Sequence, residues 1–189
     1  MRAFIALELS AQLRSELGRL VERLRPGLGK VGWVKPDKMH LTLKFLGEID
    51  EGRADLIAEG LRQACGRLPQ FSFEAVGIGC FPSARRPRVV WAGIEGEIER
   101  ARELQRGVDA ALAPLGFEPE GRPFSPHITL GRARGPVRSD LLEAAIDGHK
   151  GVRFGGQRVT EAVLMRSRLR PGGPIYTPLA RAELRAIEA

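Results

Sequence analysis

Cysteine, tyrosine and histidine are all scarce in this chain of 189 residues, which holds two, one and three of them. The two cysteines, Cys65 and Cys80, have no CxxC spacing, so they read as reduced, partly buried thiols and not as a disulfide or a metal site. Aromatic residues make up only 6% of the sequence, and no segment carries the aromatic strand pattern of a single-strand stacking platform. No apolar run reaches membrane length. The opening "MRAFIALELSAQLRSEL" has a short apolar stretch interrupted by Glu8, which does not fit a signal-peptide layout. The expectation is a cytoplasmic protein with no membrane partner. Lysine is also rare, confined to Lys30, Lys35, Lys38, Lys44 and Lys150, so arginine supplies most of the 30 basic residues and of the net charge of +7. Arginine forks match phosphate oxygens bidentately, so this surplus suits a phosphorylated or nucleic-acid partner. It is also what the codon usage of a GC-rich genome produces, and the alanine, glycine and leucine content fits that source too.

The few histidines are placed unevenly. In "MHLTLKFLG", Leu41, Leu43 and Phe45 alternate with His40, Thr42 and Lys44, the period-two pattern of a half-buried strand. A single histidine on a polar strand face is ordinarily just solvated. However, "FSPHITLGR" repeats the order, with His127, Thr129 and Leu130 standing as His40, Thr42 and Leu43 do. On each strand the imidazole and the hydroxyl share a face, about 7 Å apart along the backbone. Two such strands brought together make a small polar chamber. The third histidine, His149 in "DGHKG", has nothing repeated around it and reads as a solvated loop residue.

The rest of the chain supplies a frame for these two strands. Residues 2 to 9 read as a strand, and Ser10 as the N-cap of an amphipathic helix to about Arg25, stopped by Pro26 and Gly27. Strands follow at 31 to 34 and 40 to 46, then a helix over 51 to 67 with Leu56, Ile57, Leu61 and Ala64 at helical spacing. Further strands are expected at 71 to 79 and 88 to 95, a helix over 97 to 115 with Gly116 at its C-cap, the His127 strand, a short helix over 140 to 147, and strands at 152 to 159, 161 to 168 and 174 to 181. No linker divides the chain, so residues 1 to 189 read as one domain. The class is α+β with mainly antiparallel sheets and outer helices. Each half of the chain carries one His-x-Thr strand, which suggests two similar lobes facing each other across a central groove.

Two imidazoles across one phosphate can activate the attacking oxygen and protonate the leaving one, because near neutral pH one ring can be neutral while the other is charged. No metal is needed for that. Thr42 and Thr129 suit hydrogen bonds to the non-bridging oxygens, and Arg132 the charge that builds on them. Arg132 has the opposite parity to His127, and Gly131 permits a bend between them. Lys44 shares parity with His40 and Thr42, but a solubilising edge position explains it nearly as well. Trp33 and Phe124 flank the motifs as candidates for stacking on a base, although core packing is the commoner role of such residues.

At these residues the chain resembles the 2H phosphoesterases, named for two His-x-Thr motifs, and most closely the RNA 2′,3′-cyclic phosphodiesterases, also called 2′-5′ RNA ligases. The similarity runs from "MRAFIALEL" through "WVKPDKMHLTLKFLGE", "FPSARRPRVVWAGI" and "PFSPHITLGR" to "SRLRPGGPIYTPLARAEL". It implies a bilobal fold of pseudo-symmetric lobes with the motifs lining the groove. It also implies cofactor-free and metal-free opening of a terminal 2′,3′-cyclic phosphate to a 2′-phosphate by a monomer, on RNA ends or small cyclic nucleotides, with 2′-5′ joining in some members. Carried over by the resemblance, His40 and His127 are acid and base, Thr42 and Thr129 phosphate donors, and Arg132 a phosphate contact.

Two other classes compete with an enzyme of this kind. A binding module would hold a nucleotide or RNA end without turnover, and both intact histidines argue against it. A metalloenzyme built on His40, His127 and Cys80 lacks recognisable ligand spacing.

Overall fold

The computed structural model describes residues 1–186. Its strands are β1 (Arg2–Glu8), β2 (Gly29–Trp33), β3 (His40–Glu48), β4 (Phe71–Phe81), β5 (Val89–Gly96), β6 (His127–Val137), β7 (Arg153–Val159), β8 (Glu161–Arg170) and β9 (Gly173–Glu183). Its helices are α1 (Ala11–Leu24), α2 (Ala54–Gly66), α3 (Ile98–Leu112) and α4 (Ser139–Gly148). Every strand and helix expected from the sequence is present. The first helix forms where a polar cap precedes an apolar stripe. Ser10 accepts a hydrogen bond from the Leu13 amide at 3.2 Å, and α1 then buries Leu13, Leu17, Leu20, Val21 and Leu24 on one face. The second helix starts three residues later than its apolar spacing suggests. Asp50 accepts from the Gly52 amide, and this holds Glu51–Arg53 as a 3-10 turn before α2 proper.

All nine strands join one sheet in the order β7-β4-β5-β6-β3-β1-β8-β9, with β2 paired to β6. Each pairing is antiparallel. The two His-x-Thr strands lie side by side at its centre, but the two flanks are not the two halves of the chain. The β3 flank takes β8 and β9 from the C-terminal end, and the β6 flank takes β2 from the N-terminal part. Each flank is therefore built from both halves of the chain. The interleaving follows from long-range pairing: β8 finds its partner in β1, at the other end of the chain, and brings β9 with it as a hairpin.

One sheet face packs on the helices in a single large core, to which Leu41, Leu43, Ile128 and Leu130 contribute. The opposite face carries a much smaller cluster on the β3 flank, made of Phe4, Ala6, Val163 and Met165 with Tyr176 packed against it. Burying apolar surface on both faces explains why β1 is apolar from Ala3 to Leu7 and does not alternate.

The expected alternation fails in β3 at a particular place. The register with β1 runs Ile5 to Lys44 and then Ala6 to Thr42, so Leu43 is an extra residue and the strand bulges there. A one-residue insertion flips every side chain beyond it to the other face. Lys44 therefore enters the core side, 3% exposed, and Phe45 turns outward, 60% exposed. The sequence pattern placed each of them the other way. The Lys44 ammonium donates to Asp109 Oδ1 at 2.5 Å and to the Glu118 carbonyl at 2.8 Å, while Gln105 donates to Asp109 Oδ2 at 2.7 Å. This buried pair fastens α3 to β3. Lys44→Ala leaves a carboxylate in the core without its cation and is expected to cost on the order of 3 kcal/mol. Replacing both Lys44 and Asp109 by apolar residues of similar volume is expected to cost much less. Urea unfolding midpoints of the two variants check this; an equal loss in both would contradict it.

Candidate active site

The two central strands touch at one point. Leu41 pairs with Ile128 and no other pair joins β3 to β6, so the strands diverge from that contact. Antiparallel register carried one step either way sets His40 across from Thr129 and Thr42 across from His127. Leu41 and Ile128 are fully buried toward the helices, so the two His-x-Thr pairs lie together on the other face. Diagonal neighbours in an unbroken ladder are about 7–8 Å apart, and the divergence from the Leu41–Ile128 contact widens the gap between the two imidazoles, leaving room for a phosphate.

Both rings are held in the same way. His40 Nδ1 lies 2.9 Å from the Lys38 carbonyl, and His127 Nδ1 lies 2.8 Å from the Ser125 carbonyl. A carbonyl only accepts, so Nδ1 carries the proton in each ring and Nε2 is the nitrogen left to exchange one. Aromatic rings brace both imidazoles. Phe4 and Tyr176 stand 4.8 and 5.3 Å from His40, and Phe81 and Trp91 stand 5.1 and 6.3 Å from His127. Tyr176 is the chain's sole tyrosine, a rarity that could have drawn attention in the sequence. Phe4, Phe81 and Trp91 gave no such signal.

Burial holds both imidazoles below the ordinary histidine value, because an apolar surrounding disfavours the charged ring. The carbonyl bonds oppose that depression, and the charge of Arg132 adds to it at both rings. Arg132 therefore lies within electrostatic reach of both histidines. At His40 alone a carboxylate, Glu8, favours the cation; Glu8 is its partner on β1, whereas the β5 partner of His127 is Gly93.

Arg132 reaches the groove through a bulge. The β5–β6 register runs Val90 to Gly131 and then Trp91 to Thr129, leaving Leu130 as an extra residue that reverses the parity. Gly131 serves another purpose: a Cβ there would come within 2.6 Å of Val31 and 2.9 Å of the Trp33 ring, so glycine lets β2 approach β6.

Thr42, Thr129, His40 and Arg132 line a cavity of about 550 Å³, together with Arg2, Lys38, Phe45 and Tyr176. Other residues singled out in the sequence lie elsewhere. Trp33 packs over Gly131 and Phe124 against the main core, and neither lines the cavity. His149 caps α4, its Nδ1 2.7 Å from the Ala145 carbonyl, and is half-buried instead of solvated. Cys65 and Cys80 are free thiols, and burial pushes Cys65 up to about 12. Among the described residues no three His, Cys, Asp or Glu side chains are grouped to hold a metal ion, and no helix is long and apolar enough to cross a membrane.

A curled antiparallel sheet with paired His-x-Thr strands at its centre defines a phosphoesterase of the two-histidine class. The match to the LigT-like phosphoesterase model covers residues 7–91 and 93–176, and the chain belongs to that family. The RNA 2′,3′-cyclic phosphodiesterase of Methanothermobacter thermautotrophicus is 38% identical over 179 residues, 95% of this chain and 96% of that protein. The protein of the same name from Thermus thermophilus is 36% identical, covering 98% of this chain and 91% of its own length. Among solved structures, TT0787 of Thermus thermophilus superposes with a TM-score of 0.80 at 32% identity over the full length of both chains. LigT of E. coli complexed with 3′-AMP does so with a TM-score of 0.74 at 29% identity over 97% of each.

Proposed function

We propose that this chain is a metal-independent RNA 2′,3′-cyclic phosphodiesterase that opens a 2′,3′-cyclic phosphate to a 2′-phosphomonoester, acting on RNA ends or small cyclic nucleotides. The observation that carries the reading is the joint at Leu41 and Ile128, which sets two His-x-Thr pairs across from each other with Arg132 in reach of both rings. The printed names of the relatives agree with it. The groove is complete within one chain, which supports one bilobal unit working as a monomer. The two free thiols, Cys65 and Cys80, support a reducing compartment such as the cytoplasm as its place.

In this reading the phosphate sits between the rings, with its non-bridging oxygens on Thr42, Thr129 and Arg132. His127 Nε2 takes a proton from water as the water oxygen bonds to phosphorus. The bond from phosphorus to O3′ breaks, and His40 Nε2 gives its proton to O3′. The products are a 2′-phosphate and a 3′-hydroxyl. A 5′-hydroxyl in place of the water gives a 2′-5′ linkage by the same proton transfers. Burial holds His40 below the ordinary histidine value, and Glu8 offsets part of that depression at this ring alone, which supports His40 over His127 as the acid. Incubation with adenosine 2′,3′-cyclic phosphate in excess EDTA tests the reaction, with 2′-AMP as the expected product. No turnover, turnover lost to the chelator, or 3′-AMP alone would overturn it.

Arg132 gives a separate expectation. Its charge depresses both imidazoles, so Arg132→Gln is expected to move both limbs of the kcat/KM profile toward higher pH. The same change removes a stabiliser of transition-state charge and is expected to lower kcat about 10²- to 10³-fold. Stopped assays from pH 4.5 to 8.5 would show both effects. A rate loss with unmoved limbs would place Arg132 away from the histidines.

A further inference from the structure

The two central strands share one burial sequence: half-buried histidine, buried residue, half-buried threonine, two buried residues, then an exposed one. Both bulge at the same step, at Leu43 and at Leu130. The two strands themselves thus present like residues to a phosphate at the centre as far as the threonines. Beyond them the likeness ends, because the next outward residue is Phe45 on one strand and Arg132 on the other.

The asymmetry extends to the cavity wall. Its aromatic residues, Phe4, Phe45 and Tyr176, all come from the β3 flank, and with them stand Leu169 and Pro174 of the β8–β9 hairpin. Phe4 and Tyr176 already engage each other at 5.0 Å and both engage His40. Phe45 lies 6.3 Å from Phe4 and is left 60% exposed, while Leu169 is 69% exposed. Large apolar side chains exposed on one side of a polar cleft mark where the apolar part of a ligand lies. A nucleotide has one such part, its base.

We infer that the base of the nucleotide bearing the cyclic phosphate stacks on Phe45, against Leu169 and Pro174 of the hairpin. This inference rests on the cyclic phosphodiesterase reading and adds the polarity of the substrate in the groove. The ribose is tethered to its base and so lies on the β3 flank. O3′ then departs toward His40, and water enters from the side of His127.

Two substrates isolate the base: adenosine 2′,3′-cyclic phosphate, and methyl β-D-ribofuranoside 2′,3′-cyclic phosphate, which has none. Wild-type protein is expected to show a KM for the adenosine ester at least about tenfold lower, within what base–aromatic stacking supplies. Phe45→Ala is expected to remove about tenfold of that advantage and leave the kinetics of the methyl riboside unchanged. Phe45→Leu, which keeps an apolar side chain without a stacking face, is expected to resemble Phe45→Ala, and Phe45→Trp to resemble the wild type. Equal effects of Phe45→Ala on both substrates, or no effect on either, would overturn the base site. A wild type that opens both esters with the same KM would overturn it while leaving the phosphodiesterase reading intact. Failure of the wild type to open either ester would remove that reading, and this inference with it.

Discussion

Replacing either His40 or His127 with alanine is expected to lower the turnover of a nucleoside 2′,3′-cyclic phosphate by about 10²- to 10⁴-fold, the usual cost of losing a general acid or base. In the proposed mechanism the fall belongs in kcat, because each imidazole exchanges its proton in the transition state while Thr42, Thr129 and Arg132 remain to hold the phosphate. Neither change should unfold the chain. Both residues are half-buried at the start of their strands, His40 against the edge of the smaller apolar cluster, and neither belongs to the main core. Double replacement is expected to cost less than the product of the single losses, because the two rings act on one transfer and removing the first already forfeits most of what the second supplies. Rapid-quench turnover of the three variants, with circular dichroism as the folding check, makes the comparison. Near-wild-type turnover by either single variant would sink the assignment.

The site was legible in the sequence where it depends on repetition. His40 and Thr42, His127 and Thr129 stand two residues apart on strands, and a strand turns such residues to one face wherever the chain goes next. What the sequence pattern missed depends on the bulges. Alternation carried straight through Leu43 puts Lys44 in the groove and Phe45 in the core, and the extra residue reverses both. A bulge leaves no reliable mark in one sequence, because it is imposed by pairing with a neighbour that is distant in the chain. Arg132 was found through its place after the second motif, with a bend expected at Gly131; the bulge falls one residue earlier, at Leu130.

The fold divides in the same way. Helices and strands follow local periodicity and caps, so all were readable within a few residues. Interleaving of the flanks is a matter of long-range pairing: β8 joins β1 across most of the chain and carries β9 with it, and β2 crosses to β6. Nothing in residues 161 to 183 announces which histidine strand they will accompany. Tyr176 shows the consequence, since the residue that braces His40 edge-on comes from the far end of the chain. The base site proposed on Phe45 depends on both kinds of missed information, the β3 bulge and the arrival of the β8–β9 hairpin.

Restoring activity with a better leaving group is expected to separate the two histidines. Opening the cyclic ester needs a proton on O3′, since an alkoxide is a poor leaving group, and that proton comes from the acid. In the 2′-(4-nitrophenyl phosphate) of 3′-deoxyadenosine the nitrophenolate takes the place of O3′ and departs without one. Water must still be activated, so the base remains necessary. In the proposed mechanism His40 serves the leaving oxygen, and two features support that choice. Glu8 offsets part of the depression of that ring alone, and the base site inferred on exposed Phe45 places the ribose on the same flank. His40→Ala is thus expected to come within about tenfold of the wild type on the nitrophenyl ester, while His127→Ala stays at least about 10²-fold below it. Absorbance of released nitrophenolate gives the rates directly. The pH profile supplies a second reading. On the nitrophenyl ester the wild type is expected to lose the alkaline limb of its bell, which reports the protonated acid, and to keep the acid limb, which reports the neutral base and lies below the ordinary histidine value because burial depresses His127. Rescue of His127→Ala in place of His40→Ala would exchange the two roles and move the ribose to the β6 flank, and equal rescue of both would show that neither ring is committed to one oxygen.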